Sequence, residues 1–303
     1  MKTEKNKKGF TLAELLTAVV IIAILIGILV PALNMARSFA RDAKQRVQIQ
    51  SIEAGIIMYR NDFGEYPPSH GVDNAGDPDY GYCGAQTLTE ALLGWDLLGF
   101  HPDSIYREDG KDAFNDDLYD TSSMTQQQIQ DNLNRRQALY IQRENIGVFM
   151  PDDIYNSVDP TLSGDRFVLC DTFEKISRNI GGGNRSFRIG TPILYFRANT
   201  SALNTELETN NSEPIQRDNI YNYLDNAYLI WCGQIKNNAE RHQLETEGGD
   251  PTPFYDFIGD PMAYEVSNLR RPVRPDSFLL ISAGPDGIYG TQDDICNFDP
   301  NTP

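Results

Sequence analysis

The chain has 303 residues, 40% hydrophobic and 10% aromatic, enough for one large or two small packed domains and too apolar for wholesale disorder. Its formal net charge is −17, from 43 acidic against 26 basic residues; so acidic a body repels phosphate backbones, which excludes a nucleic-acid binder and suits an exterior rich in divalent cations. The four cysteines, Cys83, Cys170, Cys232 and Cys296, have no Cys-x-x-Cys spacing and therefore no zinc pattern; outside the cytoplasm they allow one or two disulfides of undetermined pairing, with buried free thiols as the alternative.

Residues 1–9 are polar and carry Lys2, Lys5, Lys7 and Lys8. From Leu12 to Leu33 come roughly twenty apolar positions, which at about 1.5 Å per residue just span a hydrocarbon core of about 30 Å. The positive-inside rule then keeps residues 1–9 in the cytoplasm and puts the remainder across the membrane. A secretory signal also begins with basic residues, but it is cut at small residues after its apolar core. Here the apolar run passes straight into Pro31-Ala32-Leu33 and an amphipathic stretch. One carboxylate, Glu14, lies in the first turns, where headgroups and the helix dipole favour it; a snorkelling edge residue is the plain reading.

Gly9-Phe10-Thr11-Leu12-x-Glu14 resembles the processing site of the type IV pilin and type II secretion pseudopilin family. In that family a prepilin peptidase cuts after the glycine and methylates the new N-terminus. The resemblance implies cleavage between Gly9 and Phe10, methylation of Phe10, and a role for Glu14 in pairing with the N-terminal amine of a neighbouring subunit during filament assembly. It also implies partners: the peptidase, other pilin-like subunits, and an assembly platform in the bacterial inner membrane. The chain would cross that membrane once, with its C-terminal body in the periplasm before entering the filament. Pro31 falls where many such helices are loosened, as a residue lacking an amide proton should loosen them.

Beyond the apolar run, Arg37, Arg41, Lys44 and Arg46 suit lipid headgroups, neighbouring acidic bodies, or simply a solvated face. Ile49, Ile52, Ile56, Tyr59 and Phe63 recur at spacings of three and four, one stripe of a helix that needs an apolar face to cover it. Gly64 and Pro67-Pro68 stop the helix. Unbroken from Phe10 to Phe63, it would be about 80 Å long. Residues 71–84, with Asp73, Asp77 and Asp79, read as a surface loop. Thr87-Leu88-Thr89-Glu90 reads as a capping box opening a short helix that ends at Gly94. A charged, irregular stretch from His101 to Tyr119 precedes a second helix expected between Met124 and Gln142, with Ile129, Leu133, Leu139 and Ile141 as its apolar residues.

Arg166–Cys170 and Ile193–Arg197 read as strands, separated by a flexible turn at 181–185 that lacks the Gly-Lys-Ser/Thr ending of a phosphate loop. Composition marks 199–212 and 237–250 as loops. Ile220, Tyr221, Leu224, Ala227, Tyr228 and Trp231 have helical spacing. Asp260-Pro261 through Val266 resembles the strand entry of major pseudopilins, and Asp276–Ser282 is the next strand, at hairpin distance.

Ser282 to Ile295 packs three glycines and three aspartates into one loop after that strand. Hard cations take six to eight oxygens, which Asp side chains and Gly-turn carbonyls supply; the spacing is not that of an EF-hand. The loop resembles the C-terminal calcium loop of major pseudopilins, which implies calcium held by Asp286, Asp293 and Asp294 together with backbone carbonyls. A plain Pro-Asp-Gly turn with solvated acids is the alternative.

The expected fold is α+β and pilin-like, a long N-terminal helix packed on a small antiparallel sheet with helical and loop insertions. The expected parts are a leader at 1–9, a transmembrane and filament-core helix at 10–33, its amphipathic continuation at 34–63, and an extracytoplasmic body at 64–303 containing the calcium loop at 282–295. The expected function is that of a structural pilin or pseudopilin subunit. A body of about 240 residues is large for a major pseudopilin, so the alternative is a minor or surface-presenting subunit that binds an exported protein or a glycan, with exposed aromatics between Gly71 and Asp120 as its mark. A membrane-anchored hydrolase using Asp116-Asp117 or Asp152-Asp153 is the remaining option. Adjacent acids on loops are usually just solvated, and His70, His101 and His242 fall in no nucleophile or metal pattern.

Overall fold

The computed structural model describes residues 12–122, 124–180, 186–202, 219–237, 239–246, 249–267 and 271–301. The chain divides into two compact units, Met1–Ala43 and Lys44–Pro303. Helix α1, Leu12–Phe63, runs through the division and continues past Pro31. The result is an α+β, pilin-like layout: one long N-terminal helix and small antiparallel sheets.

In the second unit α1 buries Gln45, Gln48, Ile49, Ile52, Gly55, Ile56 and Tyr59, a single stripe at spacings of one and three. The expected stripe began at Ile49; the structure extends it by two glutamines. Gln48 Nε2 donates to Cys170 O at 2.8 Å and Gln45 Oε1 accepts from Thr172 N at 2.8 Å, so both amides satisfy backbone near a strand end. Gly55 lets neighbouring chain press against the helix, since a Cβ there would lie 2.8 Å from Ile141 Cγ2. Gly64 ends the helix at φ +84°, its amide returning to Arg60 O.

Residues 71–84 are not the surface loop their composition suggests. They lie in a hairpin of β1, His70–Val72, and β2, Pro78–Cys83, closed by Asp73 Oδ1 accepting from the amides of Ala75 and Asp77. Helix α2, Gly84–Leu93, follows at once with all ten residues buried, and Gln86 Oε1 accepts from Cys83 N at its start. The expected capping box is therefore wrong: Thr87 lies inside the helix and Glu90 in the core, while the stop at Gly94 holds. Helix α3, Gln126–Arg135, is shorter than expected. It opens with Thr125 and Gln128 capping each other, and it ends where the next residue, Arg136, turns in over the Tyr119 ring with Nη1 donating to both carboxylate oxygens of Asp96. Leu139 and Ile141 thus lie outside it.

Strand β3, Gly147–Phe149, precedes the short helix α4, Pro151–Ile154, and pairs with β4, Val168–Cys170; β5, Ile176–Asn179, pairs with β6, Ser186–Ile189. The expected turn at 181–185 and most of the loop at 199–212 fall outside the described residues. The central sheet joins β7, Leu194–Arg197, to β8, Phe278–Ser282, and β8 to β9, Ile295–Cys296, all antiparallel. Between β7 and β8 lie helices α5, Leu224–Trp231, α6, Thr252–Phe257, and α7, Pro261–Ser267.

Helix α7 replaces the strand expected at 260–266, so β8 pairs with β7 rather than with that segment. The Asp-Pro start is a helix signal: Asp260 Oδ1 accepts from Met262 N at 2.9 Å, and Pro261 takes the first helical position, where no amide is needed.

The sheet is covered on both faces, which is why β7 and β8 read as continuous apolar runs. Tyr195, Phe278 and Leu280 face a core containing Ile52, Ile56 and Tyr59 of α1 with Leu88 and Leu92 of α2. The alternate residues Leu194, Phe196, Leu279 and Ile281 face a second core with Tyr221, Tyr223, Leu229, Phe254 and Tyr289. The segment between β7 and β8 supplies much of that second core, whereas α3 buries no side chain. All four cysteines are free thiols, three of them buried.

Candidate functional site

Every side chain from Leu12 to Arg41 is exposed, including Leu12 at 81% and Ile28 at 69%. This part of α1 is long and apolar enough to cross a membrane. Apolar surface on such a scale has to be covered by lipid or by other helices. The polar groups within it are quieted locally: Thr17 Oγ1 donates to the carbonyls of Ala13 and Glu14, both at 3.0 Å, and Ser38 Oγ to Met35 O at 2.8 Å. Glu14 occupies the first turn, where a carboxylate meets the positive end of the helix dipole. Gly9 and Phe10 lie outside the described residues. Arg37, Arg41, Lys44 and Arg46 are exposed.

The C-terminal loop is built on left-handed glycines. At Gly284, φ +57°, a Cβ would lie 2.1 Å from Asp293 O, so a side chain there cannot coexist with the fold-back that brings the loop's ends together. The fold-back gathers the acids: Asp293 Oδ2 accepts from Asp286 N at 2.9 Å, Asp294 Oδ2 from Gly290 N at 2.7 Å, and Thr291 Oγ1 donates to Asp293 Oδ1. Asp294 is buried, and burial first, then the Asp293 and Asp286 charges, push its carboxyl up to about 8. Burial first and Asp293 also raise Asp286. Lys175 Nζ donates to Pro285 O from the other side.

The oxygen donors are of the kind a hard cation takes, and crowded carboxylates would be relieved by one. Their arrangement is looser than a closed cage, because several of their oxygens accept from the loop's own amides. Among the described residues no three His, Cys, Asp or Glu side chains converge as a metal requires.

Two of the three histidines are accounted for by packing. His242 is buried, with Nε2 3.1 Å from Gly233 O and Nδ1 accepting from Tyr289 N at 3.1 Å; burial lowers its pKa to about 4. It ties the segment after α5 to the C-terminal loop. His101 is buried against the Tyr119 ring. Of the acid pairs considered for hydrolysis, Asp117 is ion-paired with Lys111 at 2.6 Å, and burial, then Asp152, raises Asp153.

Three buried carboxylates among the described residues escaped the sequence, Glu90, Asp171 and Asp225. Glu90 accepts from Tyr82 Oη at 2.7 Å, Ser104 Oγ at 2.5 Å and Tyr119 Oη at 3.2 Å. Asp225 accepts from Ser69 Oγ and lines a cavity. Glu90 looked like a cap because it follows Thr87 by three. Asp225 gave no signal, since Ser69 is 156 positions away.

The family model described as the prokaryotic N-terminal methylation motif matches residues 5–30. No curated protein and no solved structure matches the chain. The motif, set on an apolar exposed helix, supports a type IV pilin-like subunit processed by prepilin peptidase, with a structural role and a membrane anchor.

Proposed function

We propose that the chain is the structural subunit of a type II secretion or type IV pilus-like filament. The peptidase cuts between Gly9 and Phe10 and methylates Phe10, and the subunit waits in the inner membrane with its body on the periplasmic side. Assembly moves the apolar helix from lipid into a bundle of identical or related helices. Glu14 pairs there with the amine of a neighbouring Phe10, which fixes the axial stagger. The observation that carries this reading is the coincidence of the methylation motif at residues 5–30 with a helix exposed along its whole apolar length.

The test is Glu14→Ala in a cell that assembles the filament. Membrane insertion should be unchanged, because removing a carboxylate favours the bilayer by about 2.5–3.5 kcal/mol at most. Filaments pelleted from sheared cells should be lost. Normal filaments from this variant would contradict the pairing.

Calcium at the loop 282–295 is part of the same proposal. Asp293 and Asp294 are its side-chain ligands, with Asp286 close by and carbonyls from the glycine turns filling the shell; the cation neutralises acids that the fold crowds together. A second reading, a minor or surface-presenting subunit, is favoured by Phe114, 86% exposed within the 71–120 region.

A further inference from the structure

The C-terminal loop already holds one positive charge, and it comes from another part of the chain. Lys175 stands just before β5, where its amide donates to Ile189 O at 2.7 Å beside the Ile176–Ile189 pair, so its backbone is fixed. Its side chain is half-buried and runs along the left-handed turn at Gly287, where a Cβ would lie 3.2 Å from Lys175 Cε and 3.6 Å from Cδ. Nζ donates to Pro285 O and lies 5.6 Å from the centre of the Phe173 ring. The charges that act on this ammonium are negative at Asp171, Asp286 and Asp293, and positive at Lys236.

This placement bears on a metal in two ways. Pro285 O lies among the turn carbonyls that would complete a calcium shell, so a cation coordinated there meets the ammonium on the same oxygen. The two are also like charges: even at the dielectric of water, a unit charge about 5 Å from a divalent ion costs it on the order of tenfold in affinity. Lys175 meanwhile does part of what a metal would do, since it puts positive charge beside acids that the fold crowds together. Those acids bond within the loop as well, Asp293 Oδ2 accepting from Asp286 N and Asp294 Oδ2 from Gly290 N. The lysine stem is long and only half-buried, so its head can swing to water while the backbone stays in place.

We propose that Lys175 is the resident cation of the C-terminal loop, held there when no metal is bound, and that calcium binds by displacing it. That role rests on the calcium reading of residues 282–295 and adds its regulation. The loop keeps its fold without metal, and the cost of expelling the lysine sets the calcium level at which the loop loads.

The test is calorimetric titration of calcium into the full chain in a neutral detergent, after EGTA treatment and dialysis, for the parent and for Lys175→Met, Lys175→Gln and Lys175→Arg. The methionine and glutamine variants should bind calcium at least about tenfold more tightly than the parent, and the arginine variant within about threefold of it. A lysine that merely packs against Gly287 predicts the opposite sign, because its loss would loosen the loop and weaken the site. Melting in EGTA checks that each variant folds; if Lys175→Met does not, Lys175→Gln carries the comparison. Calcium bound by the neutral variants but not by the parent would also support the displacement. Neutral variants that bind as the parent does or more weakly, or an arginine variant that tightens as much as they do, would overturn it and leave the calcium reading intact. Calcium bound by none of the four would overturn both.

Discussion

Replacing Glu90 with glutamine separates the charge of a buried carboxylate from its shape. Glu90 is 1% exposed and ties α2 to the irregular stretch 101–119 through the hydroxyls of Tyr82, Ser104 and Tyr119. Burial raises its pKa from 4.5 to about 7, and the three hydroxyl donors only partly oppose that. Between those values the folded chain keeps a proton that the unfolded chain has lost. Stability therefore declines as pH rises from about 4.5 to about 7 and levels off above that. The ceiling on the decline is about 3 kcal/mol, from some 2.5 pH units at about 1.4 kcal/mol each.

Glutamine does not titrate, so Glu90→Gln removes this decline while other carboxylates contribute equally to both proteins. The assay is urea unfolding of a fragment starting at Arg37, which retains every side chain that is buried among the described residues. At pH 4.5 the variant should be less stable than the parent by about 1–2 kcal/mol, because its amide nitrogen cannot accept from a hydroxyl as the lost oxygen did. By pH 8 the difference should have moved by about 2–3 kcal/mol in the variant's favour, which closes the gap or reverses it by up to about 2 kcal/mol. The same stability difference at both pH values would refute the buried, proton-retaining carboxylate.

Three further outcomes are expected. Gly84→Ala should destabilise the same fragment by at least about 2 kcal/mol in urea unfolding, since the new Cβ would lie 2.2 Å from Tyr195 O and 2.8 Å from Ser69 O. Chelation by EGTA should lower the melting temperature of calcium-loaded protein by several degrees, and Asp294→Ala should abolish that response; an unchanged melt on chelation removes the metal from the account. His242→Phe should lower the melting temperature at pH 7, because the Gly233 carbonyl and the Tyr289 amide lose their shared partner; an unchanged melt would show the ring to be mere filler.

What could be read from the sequence was what repeats regularly. The stripe Ile49, Ile52, Ile56 and Tyr59, the strands β7 and β8, and the stops at Gly64 and Gly94 follow from periodicity and glycine chemistry alone. Gln45 and Gln48 were missed because a polar residue on a buried face breaks the apolar pattern even where its amide bonds the backbone of a neighbouring strand end. Strands β5 and β6 were missed because Ile176–Asn179 and Ser186–Ile189 are mostly polar and partly exposed. The Asp-Pro segment went the other way: a resemblance to a strand entry was overruled by local capping at Asp260. Of the candidate sites, Glu14 and the acids of the C-terminal loop were visible because each lies in a compact motif. The reach of Lys175 into that loop was invisible because 110 positions separate it from Pro285, and only the fold brings them together.

The central claim, an apolar helix trimmed and methylated for stacking into a fibre, is tested most directly by intact mass spectrometry of the protein purified from cells that possess the prepilin peptidase. The account predicts a chain beginning at Phe10 and heavier by one methyl group at its amine. A chain that retains residues 1–9, or one that begins beyond Pro31, would contradict it.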